Sequence, residues 1–212
     1  MADLAEVLRL AAAGVFPPVD GGWERVPPWR DGVEAVVALT GHAFLAVADD
    51  VDDAALAALR PDGLGGAHDP RLVTALAAGG WVVSLDVLLA ATGGGRPAEE
   101  SRLVAREDLS AHPRAVAARA LRGEVRVVGR PGADPSLVTV GAGVAGLTEL
   151  GAEVVAGTDG ARLVADVVAS LPAGSPVLAA VAPGNARSLR SFLRAGFRPV
   201  GSVQVYRPAR RR

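Results

Sequence analysis

The second half of the sequence alternates between segments with helical spacing of apolar residues and short apolar runs typical of β-strands. The predicted helices of this half are residues 110–121, 159–171 and 185–195. The predicted strands are residues 124–129, 137–146, 147–155, 177–182 and 197–207. Strands that alternate with helices bury their faces against those helices, so this order predicts an α/β layered structure.

The first half mixes the same two kinds of element. Helices are predicted at residues 3–13, from a cap at Asp52 or Asp53 to Arg60, and from the Asp69-Pro70 pair to Gly79. Residues 33–39 and 43–48 suggest a β-hairpin, and residues 81–91 one strand or two short strands. The glycine-rich segment 93–97 is either a linker or a long turn. We therefore expect an N-terminal α/β region at 1–98, either an accessory region or a diverged half, and a second domain at 99–212.

The composition argues against several classes of function. The chain has 22 Lys and Arg against 23 Asp and Glu, whereas a protein that binds nucleic acid needs a basic face. The basic run at residues 210–212 is expected to be a solvated tail. The sequence has no cysteine, and its three histidines are scattered, so no metal site is expected. It has neither an apolar stretch that spans a bilayer nor the pattern of a signal peptide, so we expect a cytoplasmic protein without a membrane partner.

Residues 177–201 carry the most informative pattern. A predicted strand is followed by Pro-Gly and then by Asn185, which suits a helix N-cap. Leu189, Phe192 and Leu193 form an apolar stripe on the helix, and Gly196 stands where a helix needs a left-handed residue to end. Taken alone, these residues indicate a capped helix between two strands.

In residue types and spacing, this segment resembles the last third of GNAT superfamily N-acetyltransferases. The resemblance covers the second half of the chain well and the first half poorly. It implies a GNAT-like acyl-CoA N-acyltransferase fold, an α+β mixed sheet with helices on both faces, in the C-terminal half. It also implies a bacterial enzyme that transfers an acetyl or other acyl group from acetyl-CoA, its co-substrate, to an amine acceptor.

The resemblance assigns the pantetheine arm of CoA to a gap between the strands at 147–155 and 177–182. Asn185 and Ser188 would contact the arm from the following helix, with pure helix capping as the alternative for Asn185. Three alternate residues of the first strand would lie beside the arm; they are Leu150, Ala152 and Val154. Glu149 and Glu153 point to the opposite face of that strand. They are the candidate catalytic bases, and the alternative for each is a solvated or salt-bridged strand residue.

The sequence departs from the family pattern in two places, the loop at residues 157–162 and position 192. The loop that holds the CoA diphosphate corresponds to residues 157–162, where Thr158, Gly160 and Ala161 would offer backbone N–H groups. Asp159 stands in this loop as a helix cap that competes for those groups, and Arg162 could compensate with its side chain. Phe192 replaces the tyrosine that protonates the leaving thiolate in many members of the family.

These departures leave two functions open. One is an N-acetyltransferase whose acceptor is a small-molecule or peptide amine. The other is a degenerate GNAT fold that binds a ligand or partner without catalysis. The expected partners are the amine acceptor and a second copy of the chain in a homodimer, with no nucleic acid and no membrane.

Overall fold

The computed structural model describes residues 2–97 and 100–210. The chain is an α/β protein with mixed β-pairing. It forms two compact units, one made of the residues up to Leu88 together with those from Val200, and the other of Leu89–Pro199. The predicted division into 1–98 and 99–212 stays a prediction.

The elements follow the predicted order closely. The helices are α1 (Leu4–Ala12), α2 (Asp53–Ala58), α3 (Pro70–Ala77), α4 (Pro113–Leu121), α5 (Gly160–Ser170) and α6 (Ala186–Arg194). The first strands are β1 (Trp23–Val26), β2 (Glu34–Leu39), β3 (His42–Ala46), β4 (Trp81–Thr92) and β5 (Val104–Ala105). The remaining strands are β6 (Gly123–Gly129), β7 (Leu137–Ala142), β8 (Thr148–Glu153), β9 (Pro176–Val181) and β10 (Arg198–Arg207).

In the first unit the strand order is β1, β3, β2, β10, β4. Strands β2 and β3 form the predicted antiparallel hairpin, and β10 pairs antiparallel with β2. Strand β1 pairs parallel with β3. A core cluster of this unit combines side chains from the sheet and the helices, among them Val36, Leu45, Leu56, Leu72 and Tyr206.

The C-terminal end of the first unit is anchored by a buried charge. Glu34 is 1% exposed, and Nη2 of Arg210 donates to its Oε1 at 2.5 Å. Arg210 also pairs with Asp50 at 3.2 Å. The prediction of a solvated tail is therefore wrong for Arg210, because the buried Glu34 carboxylate needs a cationic partner. Burial raises the pKa of the Tyr206 hydroxyl, with the neighbouring Glu34 acting in the same direction.

In the second unit the strand order is β4, β9, β8, β7, β6, β5, and residues 89–92 are the part of β4 that belongs here. Neighbours from β5 to β8 pair antiparallel, while β8 and β9 pair parallel. Residues 137–141 of β7 are consecutively buried, which requires cover on both faces of the sheet. Helices α4 and α5 both contact this strand.

The glycine-rich segment 93–97 lies within the second unit. Its backbone is fixed by hydrogen bonds to the end of α5 and the following turn: Gly94 donates to the carbonyl of Val168 at 3.1 Å, and Arg96 to that of Ala169 at 2.7 Å. Gly93 donates to the carbonyl of Ser175 at 2.8 Å. Since a hydrogen-bonded backbone is held in place, these contacts favour a turn over a linker for this segment. Residues 98 and 99 lie outside the described residues.

Candidate functional site

The parallel strands β8 and β9 separate part-way along their length. Their pairing runs from Thr148 opposite Val177 to Leu150 opposite Ala179. Beyond that point, β8 continues to Glu153 with β7 as its partner, and β9 continues to Val181. The two strands thus diverge toward the ends that lead into α5 and α6.

A cleft of about 350 Å³ opens where these strands diverge. We call it the β8–β9 cleft. Its lining combines apolar and polar side chains, which come from the end of β8, from α4, from the start of α5 and from α6. These residues are Arg114, Ala152, Glu153, Val154, Gly160, Val164, Asn185, Arg187, Ser188, Ser191 and Phe192. Such a mixture suits a small ligand with both apolar and polar groups.

Asn185 lines the cleft and caps α6. Its Oδ1 accepts a hydrogen bond from the backbone N–H of Ser188 at 3.1 Å, which confirms the predicted cap. Within residues 2–97 and 100–210, the side-chain NH₂ group makes no hydrogen bond. Asn185 therefore holds the start of the helix with its oxygen and keeps two donors for a ligand.

Asn185→Ala is expected to lower the free energy of unfolding by about 1 kcal/mol, because the N–H group of Ser188 loses its acceptor. Asn185→Asp is the matched control: it keeps an acceptor oxygen and should differ from the native chain by only a few tenths of a kcal/mol. Urea unfolding followed by circular dichroism measures both. Equal stabilities for the two variants would contradict the capping role.

The loop before α5 is organised by its own side chains. Oδ1 of Asp159 accepts from the backbone N–H of Arg162 at 3.1 Å, as predicted for a helix cap. The hydroxyl of Thr158 donates to Asp134 at 3.0 Å. The backbone N–H of Ser136 donates to the same carboxylate and is the main cause of its lowered pKa. The negative charge of Asp159 thus stands at the start of α5, where the GNAT resemblance would place a diphosphate.

Arg162 does not line the concavity beside this loop. Its side chain is exposed and lies 3.8 Å from Asp166, one turn further along α5. The compensating role predicted for Arg162 stays untested, but its nearest charged partner is a carboxylate of its own helix.

A second concavity, of about 520 Å³, adjoins the β8–β9 cleft; the two share Gly160, Arg187 and Ser191. We call it the arginine groove. One wall is the loop from Gly157 to Ala161, and the other is a face of α6 that carries Arg187, Arg190 and Arg194. In the part of the chain that the structure describes, none of these three arginines forms an ion pair.

Sequence reasoning missed this groove, although its signal was present. Arg190 and Arg194 follow Arg187 by three and seven residues, a spacing that puts all three on one face of a helix. What the spacing could not show was which surface lies opposite.

Of the two candidate bases, Glu149 is held in a buried ion pair. Its side chain is 7% exposed and contacts the Arg122 guanidinium, which is 12% exposed. The other carboxylate oxygen accepts from the backbone N–H of Val144 at 3.1 Å. Arg122 in turn donates to the hydroxyl of Thr139 at 3.3 Å. A carboxylate with these partners favours the salt-bridged alternative for Glu149.

Glu153 is the other candidate base and lies in the β8–β9 cleft. It is exposed, and its nearest charged partner is Nε of Arg114 at 3.7 Å. Phe192, at the position where the GNAT resemblance would place a tyrosine, is 2% exposed. Its ring meets that of Phe197 edge-on, with the two ring centroids 5.1 Å apart. Leu193 is 41% exposed, so the predicted apolar stripe narrows at this residue.

The structure brings most of the proposed ligand-binding residues together. Ala152, Val154, Gly160, Asn185 and Ser188 line the β8–β9 cleft. Thr158, Gly160 and Ala161 line the arginine groove. Leu150 is fully buried in the core and lines neither concavity.

Comparisons of the chain with known protein families, with curated proteins and with solved structures found no match. The described residues contain no group of three or more His, Asp or Glu side chains that could hold a metal ion. Among the same residues, no helix has both the length and the apolar character needed to cross a membrane.

Proposed function

We propose that the second unit binds an acyl-CoA thioester and transfers its acyl group to an amine. The observation that carries this proposal is the divergence of β8 and β9 after Leu150 and Ala179, which opens a cleft continuous with a cationic groove. CoA is an extended molecule with a thiol and two amides at one end and phosphates at the other. The order of the two concavities matches that distribution of groups.

The cleft fits the arm of such a ligand in its chemistry. Ala152, Val154 and Val164 offer apolar contact, while Asn185 and Ser188 offer polar groups. A strand that has lost its neighbour also presents backbone groups to whatever fills the gap, as a sheet edge does. These features support the contacts that the GNAT resemblance assigns to Asn185 and Ser188.

In acyl transfer, the acyl carbon forms a bond to the amine nitrogen, its bond to sulfur breaks, and the nitrogen loses a proton. Glu153 is the proposed acceptor of that proton, directly or through a water molecule, because its carboxylate is exposed within the cleft. Water is the proposed proton donor to the sulfur, since Phe192 has no proton to give. A thiolate with a pKa of about 8.5 is a tolerable leaving group without an acid.

A second candidate function is binding of the same ligand without catalysis. Two observations favour it. Glu149 is occupied by Arg122 and by the backbone N–H of Val144, and the position of the family's general acid is Phe192. A degenerate acyltransferase of this kind would keep the cleft and lose turnover.

Titration with acetyl-CoA tests the shared part of both functions. We expect acetyl-CoA to raise the melting temperature, because a ligand that binds only the folded state stabilises it. Ser188→Trp should abolish the shift by filling the cleft. Leu193→Trp, on the same helix but outside both concavities, is the matched control and should keep the shift. Absence of a shift in the native chain at millimolar acetyl-CoA would contradict the proposal.

Release of free thiol from acetyl-CoA in the presence of a panel of amines separates the two functions. The acyltransferase predicts amine-dependent release that Glu153→Gln lowers about 100-fold or more, while this variant still binds acetyl-CoA. The binding protein predicts no release with any amine. Release that is unchanged in Glu153→Gln would contradict the role of Glu153.

A further inference from the structure

We infer that the arginine face of α6 (Arg187, Arg190 and Arg194) binds the phosphate groups of the ligand, in place of the backbone N–H groups at the start of α5. This inference rests on the proposed function and names the part of the chain that recognises the phosphates. It assigns to three side chains a task that the family gives to a glycine-rich loop.

The first step is the loss of the loop as an anion site. A helix N-terminus attracts phosphate through its free N–H groups and its positive dipole end. Here Asp159 accepts from the N–H of Arg162, and its carboxylate carries a negative charge at the same end. A phosphate placed there would lose a donor and meet a like charge, so the start of α5 is a poor site for it.

The second step is the position of the positive charge. Arg187, Arg190 and Arg194 line the wall that faces this loop, and Asp159 is the one acidic residue in the lining. Three guanidinium groups against one carboxylate leave a net charge of +2 across the groove (3 − 1). Exposed arginines on a protein surface commonly find a carboxylate, as Arg71 finds Asp69 and Arg9 finds Glu6. The three α6 arginines have no such partner among the described residues.

The third step is the chemistry of the side chain. A guanidinium presents paired N–H donors that match two phosphate oxygens at once, and it stays charged at every physiological pH. Three of them along about two helical turns can contact a diphosphate and a neighbouring phosphate monoester together. The continuity of the groove with the β8–β9 cleft at Arg187 and Ser191 puts this anion site next to the proposed site of the pantetheine arm.

The test compares the native chain with the triple variant Arg187→Gln, Arg190→Gln, Arg194→Gln. The matched control changes three other exposed arginines that line neither the cleft nor the groove, Arg102→Gln, Arg126→Gln and Arg207→Gln, and so removes the same net charge. Calorimetry measures the affinity of each chain for CoA, for pantetheine, which has no phosphate, and for inorganic pyrophosphate.

We expect the triple variant to bind CoA at least tenfold more weakly than the native chain, which corresponds to the loss of roughly one charge-assisted hydrogen bond or more. The control should bind CoA as the native chain does. Pyrophosphate should bind the native chain and the control but not the triple variant. Pantetheine should bind the native chain and the control equally, and in the triple variant it should lose much less affinity than CoA does, because Arg187 alone of the three arginines also lines the β8–β9 cleft. Added salt should weaken CoA binding to the native chain more than to the triple variant.

Two results would overturn the inference. One is a folded triple variant that binds CoA and pyrophosphate with native affinity. In that case the proposed function still stands, provided that pantetheine binds. The other is a native chain that binds no pyrophosphate. If neither CoA nor pantetheine binds the native chain, the proposed function fails, and pyrophosphate binding that depends on the α6 arginines would still support the anion site.

Discussion

Arg122→Leu is expected to lower the free energy of unfolding by about 3–5 kcal/mol, the usual cost of removing one partner from a buried ion pair. The Glu149 side chain is 7% exposed in the native chain. After the substitution, the hydrogen-bond donor that remains to its carboxylate among the described residues is the backbone N–H of Val144. It also removes the donor to the hydroxyl of Thr139. A buried carboxylate that loses its cation keeps its desolvation cost, and this cost falls on the folded state alone.

Two further variants separate this explanation from a simple loss of packing. The double variant Arg122→Leu, Glu149→Leu should recover most of the lost stability, since replacing a whole buried pair with apolar side chains is often close to neutral. Glu153→Gln, at the exposed end of the same strand, should change stability by no more than about 0.5 kcal/mol. Urea unfolding measures the free energy of unfolding of the native chain and of the three variants. A double variant as unstable as Arg122→Leu would contradict the ion-pair account.

The outcome also bears on catalysis. If Glu149 contributes to stability through Arg122, its carboxylate is engaged in the fold, and Glu153 is the remaining candidate base on β8. The ion pair joins the residue after α4 to β8, and so it helps to fix the strand whose far end borders the cleft.

Phe192→Ala is the second change with a large expected effect, a loss of about 3–5 kcal/mol in the free energy of unfolding. Phe192 is 2% exposed, and its ring meets that of Phe197 edge-on, with the two ring centroids 5.1 Å apart. Between these two rings the chain leaves α6 through Gly196, which has a φ of +96°. Removing the ring opens a cavity beneath α6 and loses the aromatic contact that joins the helix to the start of β10.

Leu193→Ala is the matched control for this change. It also shortens an apolar side chain of α6, but Leu193 is 41% exposed, so we expect a loss of no more than about 1 kcal/mol. Because Phe192 lines the β8–β9 cleft, Phe192→Ala should also alter acetyl-CoA affinity in chains that remain folded, whereas Leu193→Ala should not. Similar stabilities for the two variants would show that α6 is not anchored by Phe192.

Much of the fold followed from local patterns. Asp69, Asp159 and Asn185 were recognised as helix caps because a short polar side chain before an apolar repeat has few other uses. Strands β7 and β8 were found because residues 137–155 contain apolar runs, although the predicted first strand ran too far, into the 3₁₀ turn at Val144–Gly146. These features depend on neighbours in the sequence, which is why a single sequence reveals them.

The features that sequence reasoning missed depend on distant residues. Strand β1 is a strand because it pairs with β3, about 20 residues later, and β5 is only two residues long. Arg122 and Glu149 are 27 positions apart, and nothing in either segment identifies the other as its partner. The arginine groove is an intermediate case, since the helical spacing of its arginines is visible but the opposing loop is not.

A crystal structure of the protein with CoA tests the central claim most directly. The account predicts the pantetheine arm between β8 and β9 beyond Leu150 and Ala179, within hydrogen-bond distance of Asn185, and the phosphates against Arg187, Arg190 and Arg194. CoA bound anywhere outside the β8–β9 cleft, or a cleft that stays empty at saturating CoA, would contradict it.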